Sequence, residues 1–407
     1  MTFYQFHKYG GLAGFLLYFY GILLIFLRRR RELEAVATID TSALIQIAYA
    51  AICFIVGITG FISSKNVRNI QLNTPLKFLL SFHLLGFISI AWSVSPSLTG
   101  YRAFECITYS LLILVTLNNV FQKKGVEILL KWVLFYAVFS IFTSVIARAK
   151  LAGMNIFSLQ TLLNEQMNST PYFFFALLLP SALIIKILIL GISIFSLSNT
   201  AYAGMVLGSS SFISGNKSLK ILFFVTLFFL GLIISTYGII PFLQNTVFYG
   251  KQGVGLEYTT GRDIIFEYSW QQALKKPLTG YGFVAGDTFV INQRFDRGAI
   301  GAHNGLLSAL LGMGYPGALL FSIFLIKMFF LSRDKVLPNL YRSVFMGSAI
   351  LIIVQTMGNP GLGTRVYGTW MPAMVIFTTT CLVHWYYAQL EKNPSVPTKQ
   401  INKIVKN

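Results

Sequence analysis

Apolar residues run through this chain in long blocks that short polar stretches separate. A membrane-spanning helix needs about 20 mainly apolar residues, and twelve blocks approach or reach that length. They are 11–27, 43–62, 76–95, 103–120, 128–147, 170–184, 184–199, 200–215, 221–240, 303–330, 341–358 and 367–388. The stretch 170–215 divides either into three short, tilted spans or into two longer ones. The pattern predicts an all-α polytopic membrane protein with about twelve transmembrane helices.

The composition agrees with this prediction and excludes a soluble domain. Of the 407 residues, 55% are hydrophobic and 11% are charged, whereas a soluble domain carries roughly 25% charged residues. The formal net charge of +19 resides mainly in short loops, as the positive-inside rule requires. No basic stripe with interleaved aromatic residues lies on a soluble segment, so we expect membrane lipid and not nucleic acid as a partner.

The loop charges set the orientation of the predicted helices. Lysines and arginines cluster in or beside alternate loops, namely 63–77, 121–131, 217–220, 333–342 and the C-terminal tail. With twelve spans these loops share one side, which must be the cytoplasm, and both termini lie there. The run Arg28–Arg31 falls on the opposite side and conflicts with the rule, so the orientation of the first hairpin stays open.

One long hydrophilic stretch, residues 241–302, lies on the outer face and is nearly balanced in charge. The sequence shows no internal repeat and no second domain, so we interpret 1–407 as a single integral membrane domain that contains this loop and its short helices. Long loops often carry function. The loop is therefore the first place to look for chemistry.

A helix is predicted to begin at Thr260-Gly261-Arg262-Asp263, with Thr260 as its N-cap and Asp263 in capping-box position. Its predicted apolar stripe contains Phe266, Trp270, Ala273 and Leu274. In one interpretation this helix lies on the membrane surface and Arg262 is solvated. In the other, the helix N-terminus and the Arg262 guanidinium bind a phosphate-like anion. The segment alone favours neither.

The segment Ala302-His303-Asn304-Gly305 lies where the long loop re-enters the membrane, and Gly312, Gly314, Pro316 and Gly317 follow it. These glycines and the proline allow close helix packing or a kink. We predict that His303 caps the helix that begins here. The positive end of a helix dipole disfavours an imidazolium, so His303 should stay neutral and suits a general base.

Trp92-Ser93-Val94-Ser95-Pro96 ends the third predicted span on the outer side, and Arg102 and Glu105 begin the fourth. The two charges form an anchor pair at the membrane boundary, or Glu105 is itself a functional group. No metal or cofactor is expected, because the sequence has no Asp-x-Asp motif, phosphate-binding glycine loop, His/Cys cluster or Ser-His-Asp signature. The cysteines Cys53, Cys106 and Cys381 lie in apolar runs and are predicted to be packing residues.

In this order and topology, these segments resemble the O-antigen ligase and O-antigen polymerase (Wzy-type) superfamily of bacterial surface polysaccharide assembly. The resemblance rests on Thr260-Gly261-Arg262, on Pro277-Leu278-Thr279-Gly280-Tyr281-Gly282-Phe283 and on Ala302-His303-Asn304. Trp92 to Pro96 with Arg102 is similar to the early outer loop of that family. The motifs cover about residues 255–330, and the hydropathy profile agrees over the whole chain.

The resemblance implies a multi-pass glycosyltransferase of the bacterial inner membrane that needs no metal and faces the periplasm. The donor would be a glycan on undecaprenyl diphosphate, and the acceptor a glycan or the lipid A-core. His303 would deprotonate the acceptor hydroxyl, and Arg262 and Arg102 would bind the diphosphate, with Asn304, Gly261 and Glu105 in support. A chain-length regulator or other assembly proteins would be partners.

The chain departs from the family pattern at the outer end of the seventh span, where Asn199 replaces the usual basic residue. Arg102, Arg294 and Arg297 are candidates for the missing charge. Thr200-Ala201 resembles polymerases more than ligases, which favours a polymerase of lipid-linked repeat units over an O-antigen ligase. A transporter or flippase of lipid-linked glycans is the alternative of another class. It is disfavoured because the polar candidates lie at the outer boundary and not near the bilayer midplane.

Overall fold

A computed structural model describes residues 3–27, 41–152, 170–178, 199–212, 262–295, 301–358, 362 and 370–392. These ranges contain helices and no strand, which confirms the all-α prediction. The α-helices are α1 Phe3–Leu27, α2 Thr41–Ser63, α3 Lys65–Asn73, α4 Leu76–Ile88, α5 Pro96–Ala152, α6 Asn199–Ser209, α7 Arg262–Lys275, α8 Gly305–Arg333, α9 Asn339–Gly358 and α10 Trp370–Lys392. Short 3₁₀-helices occupy Ser89–Trp92, Thr170–Tyr172, Phe175–Leu178 and Ser210–Phe212, and a π-helical turn covers Gly286–Val290.

Four of the described helices are long and apolar enough to cross a membrane: α2, the Pro96–Ala147 part of α5, α8 and α9. A fifth span results if α3 and the segment Leu76–Trp92, which meet at 86°, are counted together. The chain is therefore membrane-like, and the total of twelve helices stays a prediction. The predicted span 221–240 and nearly all of 184–199 lie outside the described residues.

Two predicted spans differ from the structure where it describes them. Residues 170–178, the first half of the predicted span 170–184, form two 3₁₀-helices in place of an α-helix. The predicted span 200–215 corresponds to α6, whose 11 residues reach only about 17 Å at 1.5 Å per residue. Since the hydrocarbon core is about 30 Å thick, α6 alone does not cross it.

Glycines with left-handed φ interrupt three long helices. Gly125 (φ 77°) divides α5 between the predicted spans 103–120 and 128–147. Gly11 (φ 64°) does the same near the start of α1, and Gly314 (φ 65°) breaks α8 two residues before Pro316. The kink predicted from the glycines and proline after His303 is therefore present, and it lies at Gly314.

Two cores hold the described helices together. The large core joins α1, α2 and α5 through tyrosine and tryptophan rings and continues through α4, α8, α9 and α10. It buries all three cysteines, as predicted. A small second core links α7 and the turn after it to the first part of α8, through Ala273, Val290, Ile291, Ala302, Leu310 and Leu311.

The packed face of α7 differs from the predicted apolar stripe. Ile265, Tyr268 and the buried Ala273 face the small core. Trp270 and Leu274 belong to the predicted stripe with Ala273, yet both are exposed. Helix α7 therefore has apolar side chains both on the face that packs against the small core and on an exposed face.

Candidate functional site

The segment 277–286 after α7 lies against the outer ends of α4 and α5. The Trp92 indole Nε1 donates to the Thr279 carbonyl at 2.7 Å. The backbone N–H of Val94 donates to the Tyr281 carbonyl at 2.9 Å. One turn into α5, the Thr99 hydroxyl donates to the carbonyl of Phe283 at 3.0 Å. The Trp92–Pro96 motif thus contacts the Pro277–Phe283 motif through hydrogen bonds to its backbone.

The other side of the segment contacts the break in α8. Tyr281 N–H donates to Leu311 O and Gly282 N–H donates to Gly312 O, both at 2.8 Å, while Tyr315 N–H donates to Pro277 O at 2.7 Å. In a regular helix the acceptor Gly312 O would receive the N–H of residue 316, but Pro316 has none. Gly282 therefore satisfies a carbonyl that the proline leaves without its helical partner. We call residues 89–99, 277–287, 301–305 and 311–315 together the outer junction.

Close backbone approach explains the Gly-Tyr-Gly sequence in this junction. A Cβ on Gly280 (φ 63°) would lie 2.5 Å from the backbone carbon of Gly312. A Cβ on Gly282 (φ 102°) would lie 2.1 Å from the Ser93 hydroxyl oxygen. Both positions combine a left-handed φ with no room for a side chain, so only glycine fits them without displacement.

The π-helical turn that follows presents Asp287, which is 1% exposed. Its Oδ1 accepts the backbone N–H of Ala302 at 2.7 Å. Gly301 (φ 128°) lies so close that a Cβ there would be 2.3 Å from the second carboxylate oxygen. Asp287 thus fixes the backbone one and two residues before His303.

His303 has a left-handed backbone, with φ 49°, which is uncommon for a residue other than glycine. Its ring is partly exposed. Ala302 before it is bound to Asp287, and Asn304 after it donates from Nδ2 to Met357 O at 3.0 Å. His303 is therefore held between two anchored neighbours, an arrangement in which a strained φ persists and which is common at active sites.

The prediction that His303 caps α8 is wrong, since the cap is Asn304. The Asn304 side-chain oxygen accepts the N–H groups of Leu306 at 2.9 Å and Leu307 at 3.1 Å. Asn304 has extended backbone angles (φ −147°, ψ 122°), as N-cap residues do. His303 lies one residue earlier, still at the positive end of the helix.

Helix α6 packs antiparallel against α9, so its first residues lie near the C-terminal end of α9, which Asn304 contacts. A Cβ on Gly204 would lie 3.1 Å from the Leu351 backbone, and one on Gly208 would lie 2.7 Å from Gly347 O. Further along, the Ser211 hydroxyl donates to Ser343 O at 2.7 Å. Continued to the start of α6, this register sets Asn199 beside residue 356, next to the carbonyl that Asn304 binds. The position where the family has a basic residue therefore lies level with His303.

Arg262 is the first residue of α7, so its backbone lies at the positive end of that helix. Gly261 lies outside the described residues, as do Thr260 and Arg297. Arg294, a candidate for the missing second charge, is exposed and has its guanidinium carbon 5.1 Å from the centre of the Tyr268 ring.

Arg102 and Glu105 form an ion pair in α5, with Nη1 and Oε2 2.6 Å apart. The Glu105 side chain is 6% exposed, and the Tyr20 hydroxyl makes a long contact of 3.5 Å with its Oε1. Glu105 therefore joins α1 to α5, which fits the anchor-pair interpretation. Arg102 lies three residues after Thr99 and so on the same side of the helix as the outer junction.

Asp287 is the residue that sequence reasoning missed, because it was counted only among the balancing charges of the loop. The available signal was its place in the apolar run Phe283 to Val290, where an acidic residue is costly unless it is bound. Nothing in the spacing indicated Ala302 as its partner, fifteen residues away.

The described part of the chain contains no group of three His, Cys, Asp or Glu residues that could hold a metal ion. The outer junction offers a partly exposed histidine just before α8, and Arg262 lies outside the junction at the start of α7. Such a set can accept a proton and bind an anion. It defines the class: an all-α, membrane-like protein with a candidate catalytic histidine just before the N-terminus of α8.

Residues 184–322 match the model of a protein family described as O-antigen ligase. The match covers a minority of the chain, but it contains the Arg262, Pro277–Phe283 and Ala302–Asn304 motifs, and it confirms the resemblance that those motifs indicate. At this level the chain is similar to membrane glycosyltransferase-like enzymes of surface polysaccharide assembly. No curated protein matches the sequence.

Proposed function

We propose that the protein transfers a glycan from undecaprenyl diphosphate to a sugar hydroxyl, at the periplasmic face of the bacterial inner membrane. The observation that carries this proposal is the placement of His303, a partly exposed residue with a left-handed φ between two anchored neighbours. The outer junction also joins the Trp92–Pro96 segment to the Pro277–Phe283 motif, which supports the proposal.

In the proposed reaction the acceptor hydroxyl oxygen bonds to the anomeric carbon of the donor sugar. The bond from that carbon to the diphosphate oxygen breaks, and undecaprenyl diphosphate leaves with the electron pair. His303 takes the proton of the hydroxyl, a role that typically contributes about 10²–10⁴-fold in rate. Diphosphate is a good leaving group, so no acid is required.

Arg262 is the proposed partner of the diphosphate, since a guanidinium at a helix N-terminus combines a bidentate donor with a favourable dipole. Asn199, level with His303, offers an amide in place of a second positive charge. Arg102 is the proposed second cation, on the α5 face that carries Thr99. Its ion pair with Glu105 would orient the guanidinium.

The repeat-unit polymerase is the favoured reaction, on the basis of Thr200-Ala201. The description of the matching family favours the second candidate, a ligase that transfers glycan to lipid A-core. Deleting the gene and separating the surface glycans on a gel distinguishes them. Loss of a polymerase leaves a single repeat unit on the core, or removes long-chain capsule without changing the core. Bare core with accumulated lipid-linked polymer identifies a ligase and contradicts our preference.

The arginine assignment has its own test, because the planar guanidinium of arginine makes paired hydrogen bonds to a phosphate that the ammonium of lysine cannot reproduce. Arg262→Lys should lose most glycan transfer even though the charge is kept, and Arg262→Ala should lose more. Arg333→Lys is the matched control. It should transfer normally, because Arg333 ends α8 whereas the outer junction lies at the start of that helix. If both Arg262 variants work normally at normal protein levels, Arg262 does not bind the diphosphate.

A further inference from the structure

Helix α7 has a second apolar face that no described part of the protein covers. Phe266, Trp270 and Leu274 follow one another at intervals of four and so form a row along one side, which Leu278 extends in the turn after the helix. Trp270 is 45% exposed and Leu278 is 72% exposed. Trp270 and Leu274 point away from the small core, which Ile265, Tyr268 and Ala273 contact.

A polar row lies directly beside the apolar row. Glu267, Gln271 and Lys275 are also spaced by four and are exposed, and Gln271 Nε2 donates to Glu267 Oε1 at 2.7 Å. From Phe266 onward the exposed side of α7 is thus divided lengthwise into an apolar and a polar half, whereas Ile264 near its start is 56% exposed beside the polar row. Such a division is typical of helices that lie in the plane of a membrane interface.

The level of α7 relative to the spans follows from the break in α8. From Tyr315 to Arg333 the helix has 19 residues, or about 28 Å at 1.5 Å per residue, which matches the hydrocarbon thickness of about 30 Å. Arg333 marks the inner end, so Tyr315 lies at the outer boundary of the hydrocarbon. Tyr315 N–H binds Pro277 O, and this bond fixes the C-terminal end of α7 at the same boundary.

The apolar row is also continuous with a lipid-facing surface. One face of α8 is exposed along its length. It carries Tyr315, Leu319, Ile326 and Phe330, which have the spacing of a single helix face. The hydrogen bond between Tyr315 and Pro277 joins that face to Leu278, the last residue of the apolar row. Tryptophan and tyrosine are enriched at this depth of a membrane, and lysines such as Lys275 attract anionic headgroups.

We propose that α7 lies in the outer-leaflet interface, with the apolar row among the acyl chains and the polar row in water. This position is compatible with anion binding by Arg262, because Arg262 begins the helix and is not part of the apolar row. It gives Trp270 and Leu278 a function that neither core requires: they hold the helix that begins at Arg262 at a fixed depth.

The test places an environment-sensitive fluorophore on single introduced cysteines in the full chain, in proteoliposomes. Trp270→Cys and Leu278→Cys report the apolar row, and Gln271→Cys is the matched control on the polar row. The unsubstituted chain, whose three cysteines are buried, gives the background. Labels at 270 and 278 should lose most of their emission to a lipid-attached nitroxide and resist aqueous iodide, whereas the label at 271 should show the reverse.

Equal quenching of all three labels by iodide would overturn the proposal, because α7 would then be surrounded by water. Protection from iodide without quenching by the lipid nitroxide would overturn it too, since protein and not lipid would cover the row. The Leu278 label lies beyond the end of the helix, so it still reports if the change at Trp270 disturbs folding.

Discussion

The bundle of α1, α2 and α5 and the outer junction are held together in different ways. In the bundle, helices meet through large rings: the Tyr20 and Tyr109 centroids are 4.3 Å apart and those of Tyr20 and Tyr49 are 6.4 Å apart. In the outer junction, segments meet through backbone hydrogen bonds and glycines that leave no room for a Cβ. Ring packing accepts many substitutions of similar volume, whereas direct backbone contact fixes positions. The outer junction is therefore the described region in which direct contacts fix the positions of the backbone most closely.

The largest expected effect is on chemistry, in the outer junction. His303→Ala should reduce glycan transfer by about 10²–10⁴-fold, the usual contribution of a general base, while Asn304 still caps α8. Product can be measured on gels at matched membrane protein levels. His384→Ala, in the last part of α10, is the control and should transfer normally. Full activity of His303→Ala would remove the base assignment.

The next prediction compares two glycines with similar φ but different surroundings. Gly280→Ala combines an unfavourable φ of 63° with overlap on the Gly312 backbone, whereas Gly125→Ala (φ 77°) finds nothing within 4 Å. Gly125→Ala should cost only the backbone strain of φ 77° and ψ −169°, a region essentially restricted to glycine, or about 1–3 kcal/mol. Gly280→Ala should cost clearly more and also lose activity. Thermal unfolding and transfer assays measure both.

If both glycine variants lose the same stability and neither loses activity, the outer junction is not the closely fitted element described here.

Asp287 tests whether the backbone before His303 needs its anchor. Asp287→Ala removes the acceptor of the Ala302 N–H, and a hydrogen bond to a charged group contributes about 1.5–3 kcal/mol. Transfer should fall, and Asp287→Asn should restore part of it, because an amide oxygen can still accept. Measuring kcat and KM separately for the two variants distinguishes a misplaced histidine, which lowers kcat, from weakened donor binding, which raises KM. Equal loss in both variants would mean that the charge matters and not the hydrogen bond.

The bundle should respond more mildly to losing a hydroxyl. Tyr49→Phe removes the bond from the Tyr49 hydroxyl to the Leu16 carbonyl and keeps the ring that packs there. The free energy of unfolding should drop by about 1 kcal/mol, with unchanged transfer. A strong loss of activity at normal protein levels would contradict the division between bundle and outer junction.

The smallest effect is expected at the C-terminal end of α8, away from the outer junction. Asp334 accepts a hydrogen bond from His384 at 2.9 Å, and this bond, with smaller help from backbone N–H groups, lowers the pKa of Asp334. A lowered folded-state pKa means stability that is present above the unfolded pKa and is lost as pH falls through the folded value. The Asp334 side chain is 42% exposed, so the contribution is less than about 1 kcal/mol.

Asp334→Asn should therefore flatten the acid side of a thermal-unfolding series and leave stability near neutral pH slightly lower. An unchanged acid slope would show that the pair does not contribute.

The sequence predicted the elements of the site better than their contacts. Apolar runs located α2, α5, α8 and α9, and the motif order indicated the family that residues 184–322 match. The glycines before Pro316 predicted a kink, which the structure has at Gly314. The cap was assigned to His303 because its left-handed φ, which sets Asn304 at the helix start, cannot be read from residue types.

By itself the sequence determined what each segment can be: membrane helices by their apolar length, a bent helix by Pro316, and a candidate base and a candidate anion partner in His303 and Arg262. Only the tertiary structure decided which segments meet. Asp287 found Ala302, and Gly282 found the carbonyl that Pro316 leaves without its helical donor. The reason is physical: hydropathy and helix propensity are local properties, whereas a buried carboxylate or an unmet carbonyl is satisfied by whichever backbone group the fold brings near.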